Sequence, residues 1–201
     1  MNTKKKLVIG LLLALIASAS MFGSQPAAVG VAPDETPSRK KSRISSRVEK
    51  TKAGELILVE TVIVAAPVDK VWDAYTTSAG FASWAAPVAE VDLRIGGSIR
   101  TNYDPKAKIG DPNTNTLRIV SYVPRKLLTL QADVSQNWPD VLKKQAADLY
   151  NVILFEEVAP AKTRLISYGL GYRDNKEMRD MMGFFIKANK TLYAKLIAVL
   201  E

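Results

Sequence analysis

The 201-residue chain contains no cysteine and no histidine. Without cysteine there is no disulfide, thiolate nucleophile, Cys-ligated zinc or iron–sulfur cluster. Without histidine there is no Ser-His-Asp triad and no imidazole metal site. No remaining side chain has an unperturbed pKa near neutrality, so acid–base chemistry requires a shifted carboxylate, lysine or tyrosine. An all-oxygen calcium or magnesium site stays chemically open, but no clustered D-x-D-x-D loop supports one. The residues therefore point to no metal, no cofactor and no ready-made catalytic set.

The formal net charge is +8. A basic excess of this size reads first as a nucleic-acid or membrane-surface signal. Its distribution argues otherwise. Lys4, Lys5 and Lys6 carry part of it, and residues 39–52 hold seven basic residues against one acid. From residue 53 onward there are 18 basic and 17 acidic residues. The body of the chain is nearly neutral, so no nucleic-acid partner is expected.

The N-terminus reads as a secretory signal over residues 1–19. Lys4–Lys6 form the charged region, Leu7 to Ala17 the apolar region, and Ala17-Ser18-Ala19 presents small residues for cleavage before Ser20. The expected location is exported, either periplasmic or secreted. Residues 20–52 read as a disordered basic linker, rich in Ala, Gly, Pro and Ser and then in charge, with no sustained apolar period. The run Arg39–Lys52 suits weak contact with an anionic membrane surface. Residues 53–201 remain as one domain, large enough to bury a core without disulfides.

Within that domain, Leu56–Val64 reads as a strand. Pro67 can open a helix at its first position, and Val68, Val71, Trp72 and Tyr75 recur at helical spacing. A second short helix is expected over Ser78–Trp84. Glu90–Ile95 alternates polar and apolar residues, Gly96-Gly97 signals a hairpin turn, and Ser98–Tyr103 returns as a strand. Further strands are expected at Thr116–Val123, Leu127–Ala132, Tyr150–Val158 and Thr163–Tyr172. A short helix starting at Pro139-Asp140 interrupts them. Asp174 or Asn175 can cap a long helix over Lys176–Leu200. Its broad apolar stripe, with Met178, Met181, Met182, Phe185, Leu192, Leu196 and Val199, indicates a deeply cradled helix. Helices segregated from an antiparallel sheet define the α+β class.

Four segments resemble one family in the correct order. They are Ala66-Pro67-Val68-Asp69-Lys70-Val71-Trp72-Asp73-Ala74-Tyr75-Thr76 with Trp84 following, Glu90-Val91-Asp92-Leu93-Arg94-Ile95-Gly96-Gly97, Thr163-Arg164-Leu165 with Gly169, and Met181-Met182-Gly183-Phe184-Phe185. These resemble the SRPBCC superfamily, the START and birch-pollen-allergen-like helix-grip fold. The branch most similar is the one named for the C-terminal domain of the heat-shock-protein ATPase activator, here in an exported form. The resemblance implies a curved antiparallel sheet of about seven strands wrapped around the C-terminal helix. Two short helices would follow the first strand, and a hydrophobic cavity would lie between sheet and long helix. That branch carries no universal catalytic residues. Where many relatives place histidine before the glycine of the penultimate strand, this chain has Tyr168-Gly169.

The candidate cavity residues are Trp84, Tyr103, Trp138, Tyr168, Met182 and Phe185, because aromatics and methionine offer large, adaptable contact area. Trp138, between Asn137 and Pro139 in the inserted segment, is placed to act as a lid. Glu90 and Asp92 share a strand face, with Arg94 and Arg100 nearby. They read either as a pocket acid–base pair or as solvated cross-strand ion pairs. Gly96-Gly97 and Gly169…Gly171 open no helix and are not phosphate loops.

Three functions stay open at this point. The first is an exported, non-enzymatic binder of a small hydrophobic molecule or lipid. The second is a cyclase- or hydrolase-like enzyme using Glu90, Asp92 or Tyr103, which requires a carboxylate facing the cavity. The third is an envelope interaction or chaperone-activator-like module, which would have a filled core and no pocket above roughly 300 Å³.

Overall fold

The computed structural model describes residues 42–134 and 138–201. The signal-like segment and the linker through residue 41 lie outside the described residues, as does Asn137. Among the described residues, eight strands form one antiparallel sheet. They are β1 (Ile44–Lys50), β2 (Glu55–Val64), β3 (Val88–Val91), β4 (Ser98–Asn102), β5 (Asn115–Val123), β6 (Leu127–Asp133), β7 (Tyr150–Ala159) and β8 (Lys162–Arg173). Their order across the sheet is β1-β2-β8-β7-β6-β5-β4-β3. The helices are α1 (Val68–Thr76), α2 (Ser78–Trp84), α3 (Asp140–Lys143) and α4 (Lys176–Leu200), with a 3₁₀ turn at Ala146–Asp148. The α+β helix-grip expectation is met.

Two local readings change. The expected linker ends earlier than residue 52, because β1 pairs with β2 from Ile44↔Val62 to Lys50↔Leu56. This strand is the eighth. Its polar composition hides it: only one face meets the protein, so no apolar run is required. The expected strand over Glu90–Ile95 stops at Val91. Beyond it the Arg94 N–H donates to the Asp92 carbonyl and the Gly97 N–H to the Arg94 carbonyl, which folds the alternating stretch into a turn.

The long helix begins where its cap predicts. The Asn175 side chain accepts from the Met178 N–H at 2.9 Å, satisfying one of the orphan donors of the first turn. Asp174 instead pairs with Arg179 at 2.7 Å and Lys50 at 2.9 Å. Met178, Met182, Phe185, Asn189, Leu192 and Leu196 recur at spacings of three and four and are buried against the sheet. Val199, expected in the same stripe, is 48% exposed, because in the last turn of α4 it is Ile197 and Leu200 that pack against the core.

The other half of the core is aromatic. Tyr75 packs against Trp84 with ring centroids 4.9 Å apart, and against Phe155 at 5.4 Å. Trp72 meets Phe155 edge-on at 5.1 Å. These rings lock the α1–α2 corner onto β7, with edge-to-face geometry adding to area burial.

Candidate functional site

The inner face of the sheet should be apolar, and most of it is. In β2 the inward positions are Leu56, Leu58, Glu60, Val62 and Val64, all buried. Glu60 is the exception to the chemistry but not to the burial, being only 2% exposed. Pairing sets its surroundings. Ser46 of β1 lies opposite Glu60 on one side and Ser167 of β8 on the other. Asn151 of β7 donates from Nδ2 to the Ser167 Oγ at 2.9 Å. A polar row therefore crosses four neighbouring strands through an otherwise apolar face.

Helix α4 covers this row with polar groups of its own. The Glu60 carboxylate accepts three hydrogen bonds: from Ser46 Oγ at 3.1 Å, from Asn189 Nδ2 at 2.7 Å and from Tyr193 OH at 3.3 Å. Asn189 is 5% exposed and stands in the apolar stripe of α4. Burial lifts the Glu60 pKa from 4.5 to about 7, and the three donors offset only part of that cost. The phenols of Tyr75, Tyr172 and Tyr193 are all pushed above the usual tyrosine range, by burial first and by the nearby Glu60 charge second.

A cavity of about 30 Å³ opens beside this cluster. That is room for roughly two water molecules. Glu60, Asn151, Ser167, Tyr172 and Asn189 supply its polar side, and Leu58, Phe81, Leu117, Leu130 and Phe185 its apolar side. Gly169 also lines it, and a Cβ there would sit 2.9 Å from the Tyr172 ring, so glycine lets that ring lie against the strand. The side-chain oxygens Asn151 Oδ1 and Asn189 Oδ1 are buried without a hydrogen-bond partner among the described residues. Such atoms are costly to leave unpaired and mark a place where a donor belongs.

Of the six residues expected around a cavity, only Phe185 lines this one. Trp84 is buried in the α1–α2 corner, its indole N–H donating to the Ala74 carbonyl at 2.9 Å. Trp138 and Met182 are buried in the core without bordering the cavity. Tyr103 is half-buried past the end of β4, with its hydroxyl unpartnered. Tyr168 pairs with Val59 and Val152 and alternates with the inward Ser167 and Gly169, which turns it to the outer face. Past Trp138, the inserted segment is tied to the sheet at Gln145 and Ala147. The Arg173 N–H donates to Gln145 Oε1 at 2.7 Å, and Gln131 Nε2 donates to the Ala147 carbonyl at 3.0 Å.

Glu90 and Asp92 are surface ion-pair residues. Glu90 pairs with Arg100 across the β3–β4 hairpin, and Asp92 with Arg94 at 2.8 Å, all four being substantially exposed. The carboxylate that faces the cavity is Glu60. A signal for it was present in the sequence: an acid in the apolar phase of a period-2 strand, and an asparagine in the apolar stripe of the facing helix.

Comparison with known proteins agrees with the fold. Solved structures similar to the chain include the Aha1 dimer from Colwellia psychrerythraea, at 14% identity and a TM-score of 0.53, over 72% of this chain and 92% of that one. Protein NE0264 from Nitrosomonas europaea is 20% identical with a TM-score of 0.54, over 76% of this chain and 97% of that one. Protein Ms6760 from Mycobacterium smegmatis is 18% identical with a TM-score of 0.56, over 79% and 97%. No curated protein matches the chain. A family model described as activator of Hsp90 ATPase homolog 1-like protein matches residues 65–201, starting past Ser46 and Glu60. On that match, which takes in both short helices, the sheet from β3 to β8 and the gripped helix, the chain belongs to the family of activator of Hsp90 ATPase homolog 1-like proteins.

Proposed function

We propose that this protein binds a small molecule between the sheet and α4, without covalent chemistry, with the apolar body of the ligand in the core and its polar end at Glu60 and Asn189. The observation that carries this reading is the cavity itself, placed under the gripped helix with an apolar wall and a polar floor. At about 30 Å³ it admits the ligand's polar end as it stands. The body of the ligand enters as Phe81 and Phe185 swing aside. Apolar burial then contributes about 25 cal/mol per Å² of ligand surface removed from water.

Truncating the gate tests this. Phe185→Ala enlarges the cavity on its apolar side to on the order of 150 Å³, a size that takes up benzene-scale guests. Phe185→Leu is a milder companion if alanine unfolds the protein. Calorimetric titration with benzene and short alkanols should show binding to the wild type and several-fold tighter binding to either variant. If all three proteins refuse every probe, and extracts of the natively produced protein contain no small molecule by mass spectrometry, the reading fails.

The small volume favours a second reading, an interaction module whose core is nearly filled; that negative result would support it. Catalysis keeps one foothold, since Glu60 provides the cavity-facing carboxylate that an enzyme would need. We also propose that the protein acts outside the cytoplasm, from the pattern of Lys4–Lys6 followed by Leu7–Ala17. A mature chain beginning at Ser20 in an extracytoplasmic fraction is the expected result.

A further inference from the structure

We infer that the inner end of the cavity recognises a hydrogen-bond-donating cation, the protonated head of a primary amine. This deepens the proposed ligand-binding function and rests on it. The argument is a count of donors and acceptors. Glu60 presents a carboxylate, and Asn151 and Asn189 each present a side-chain oxygen that no group among the described residues satisfies. Each asparagine has its Nδ2 committed elsewhere, to Ser167 Oγ at 2.9 Å and to Glu60 Oε2 at 2.7 Å, which leaves the oxygens as the free ends. The unmet demand is therefore for donors.

An alkylammonium carries three N–H donors and one positive charge. It matches three acceptors, one of them anionic, in a space for roughly two waters. A hydroxyl offers a single donor. A carboxylate guest would set like charges together, with no lysine or arginine among the described residues that line the cavity. A quaternary ammonium brings charge without any N–H, and its methyl groups exceed the space. Glu60 and its partner Ser46 precede the family-matched stretch, whereas Asn151 and Asn189 lie within it.

The preference should depend on pH. The titratable groups facing Glu60 are Tyr75 from α1, Tyr172 from β8 and Tyr193 from α4, and all three phenols stay protonated well above neutrality. Ser46 and Asn189 do not titrate. Glu60 alone changes charge between pH 5 and pH 8.

Calorimetric titration of the purified protein with n-hexylamine, n-hexanol, n-hexanoate and trimethylhexylammonium decides the matter. At pH 8 the amine should bind at least about tenfold more tightly than the alkanol, as charge-assisted hydrogen bonds allow. That ratio should fall to within about threefold at pH 5 and in Glu60→Gln. Equal binding of amine and alkanol by the wild type would overturn the inference and leave the ligand-binding function standing. So would quaternary ammonium or hexanoate binding as tightly as the amine. No binding of any of the four would overturn both.

Discussion

Glu60→Gln should make the protein more stable at pH 8, by up to about 3 kcal/mol, and should flatten its pH–stability profile between pH 5 and 8. The reason is the direction of the Glu60 shift. Burial raises its folded-state pKa from 4.5 to about 7, so the folded protein holds this proton more tightly than the unfolded chain does. Near pH 4 both states carry a neutral Glu60 and there is no cost. As pH rises through the interval from 4.5 to about 7, the unfolded state ionises first and stability is lost. Above pH 7 the full cost remains. Glutamine keeps the shape and an oxygen to accept from Asn189 Nδ2, without the charge. Urea unfolding of both proteins at pH 5, 6, 7 and 8 checks this. A variant with the wild-type slope, or one less stable at pH 8, would sink the assignment. A residue that destabilises its own protein at neutral pH is better explained by a ligand than by the fold.

The second large effect is expected from Gly171→Ala. Gly171 lies in β8 with φ +86°, a conformation side chains rarely adopt, and a Cβ there would stand 1.8 Å from the Asp148 carbonyl oxygen. That oxygen belongs to the 3₁₀ turn Ala146–Asp148, which is tied down at several points. The turn is held from one side by the Gln131–Ala147 hydrogen bond, and the preceding Gln145 is tied to the Arg173 N–H. Leu142 and Leu149, both fully buried, anchor the same segment in the core. Alanine must therefore push the segment off the sheet or break the strand. Left-handed strain and backbone overlap together predict a loss of at least about 3 kcal/mol in urea unfolding. A loss below about 1 kcal/mol would show that the segment is loosely docked.

Much of this fold is legible along the chain, for local reasons. The helix over Ser78–Trp84 and the long one over Lys176–Leu200 are read to the residue. Apolar spacing and a side-chain cap both act within a few residues of each boundary. The α+β class and the gripped helix follow from the order of these elements and from the family-like segments. The strand β1 is not legible, because ISSRVEK shows no apolar face and becomes a strand only by pairing with β2. The turn after Val91 is missed for a related reason. Alternation continues into it, while hydrogen bonds within residues 92–97 close the turn and Gly96 and Gly97 fix it to Ile119 of β5.

The site divides along the same line. Composition alone determined what this protein does without: no thiol, no imidazole and, in residues 53–201, almost no net charge. Periodicity determined which faces are buried, and it places Glu60 and Asn189 on those faces. Only the tertiary structure decided that they meet. Residues 60 and 189 come together at 2.7 Å because β2 pairs with β8 and α4 lies across both. Burial of the carboxylate, its raised pKa and the two unsatisfied amide oxygens all follow from that meeting. Desolvation is a property of the assembled core rather than of any stretch of chain.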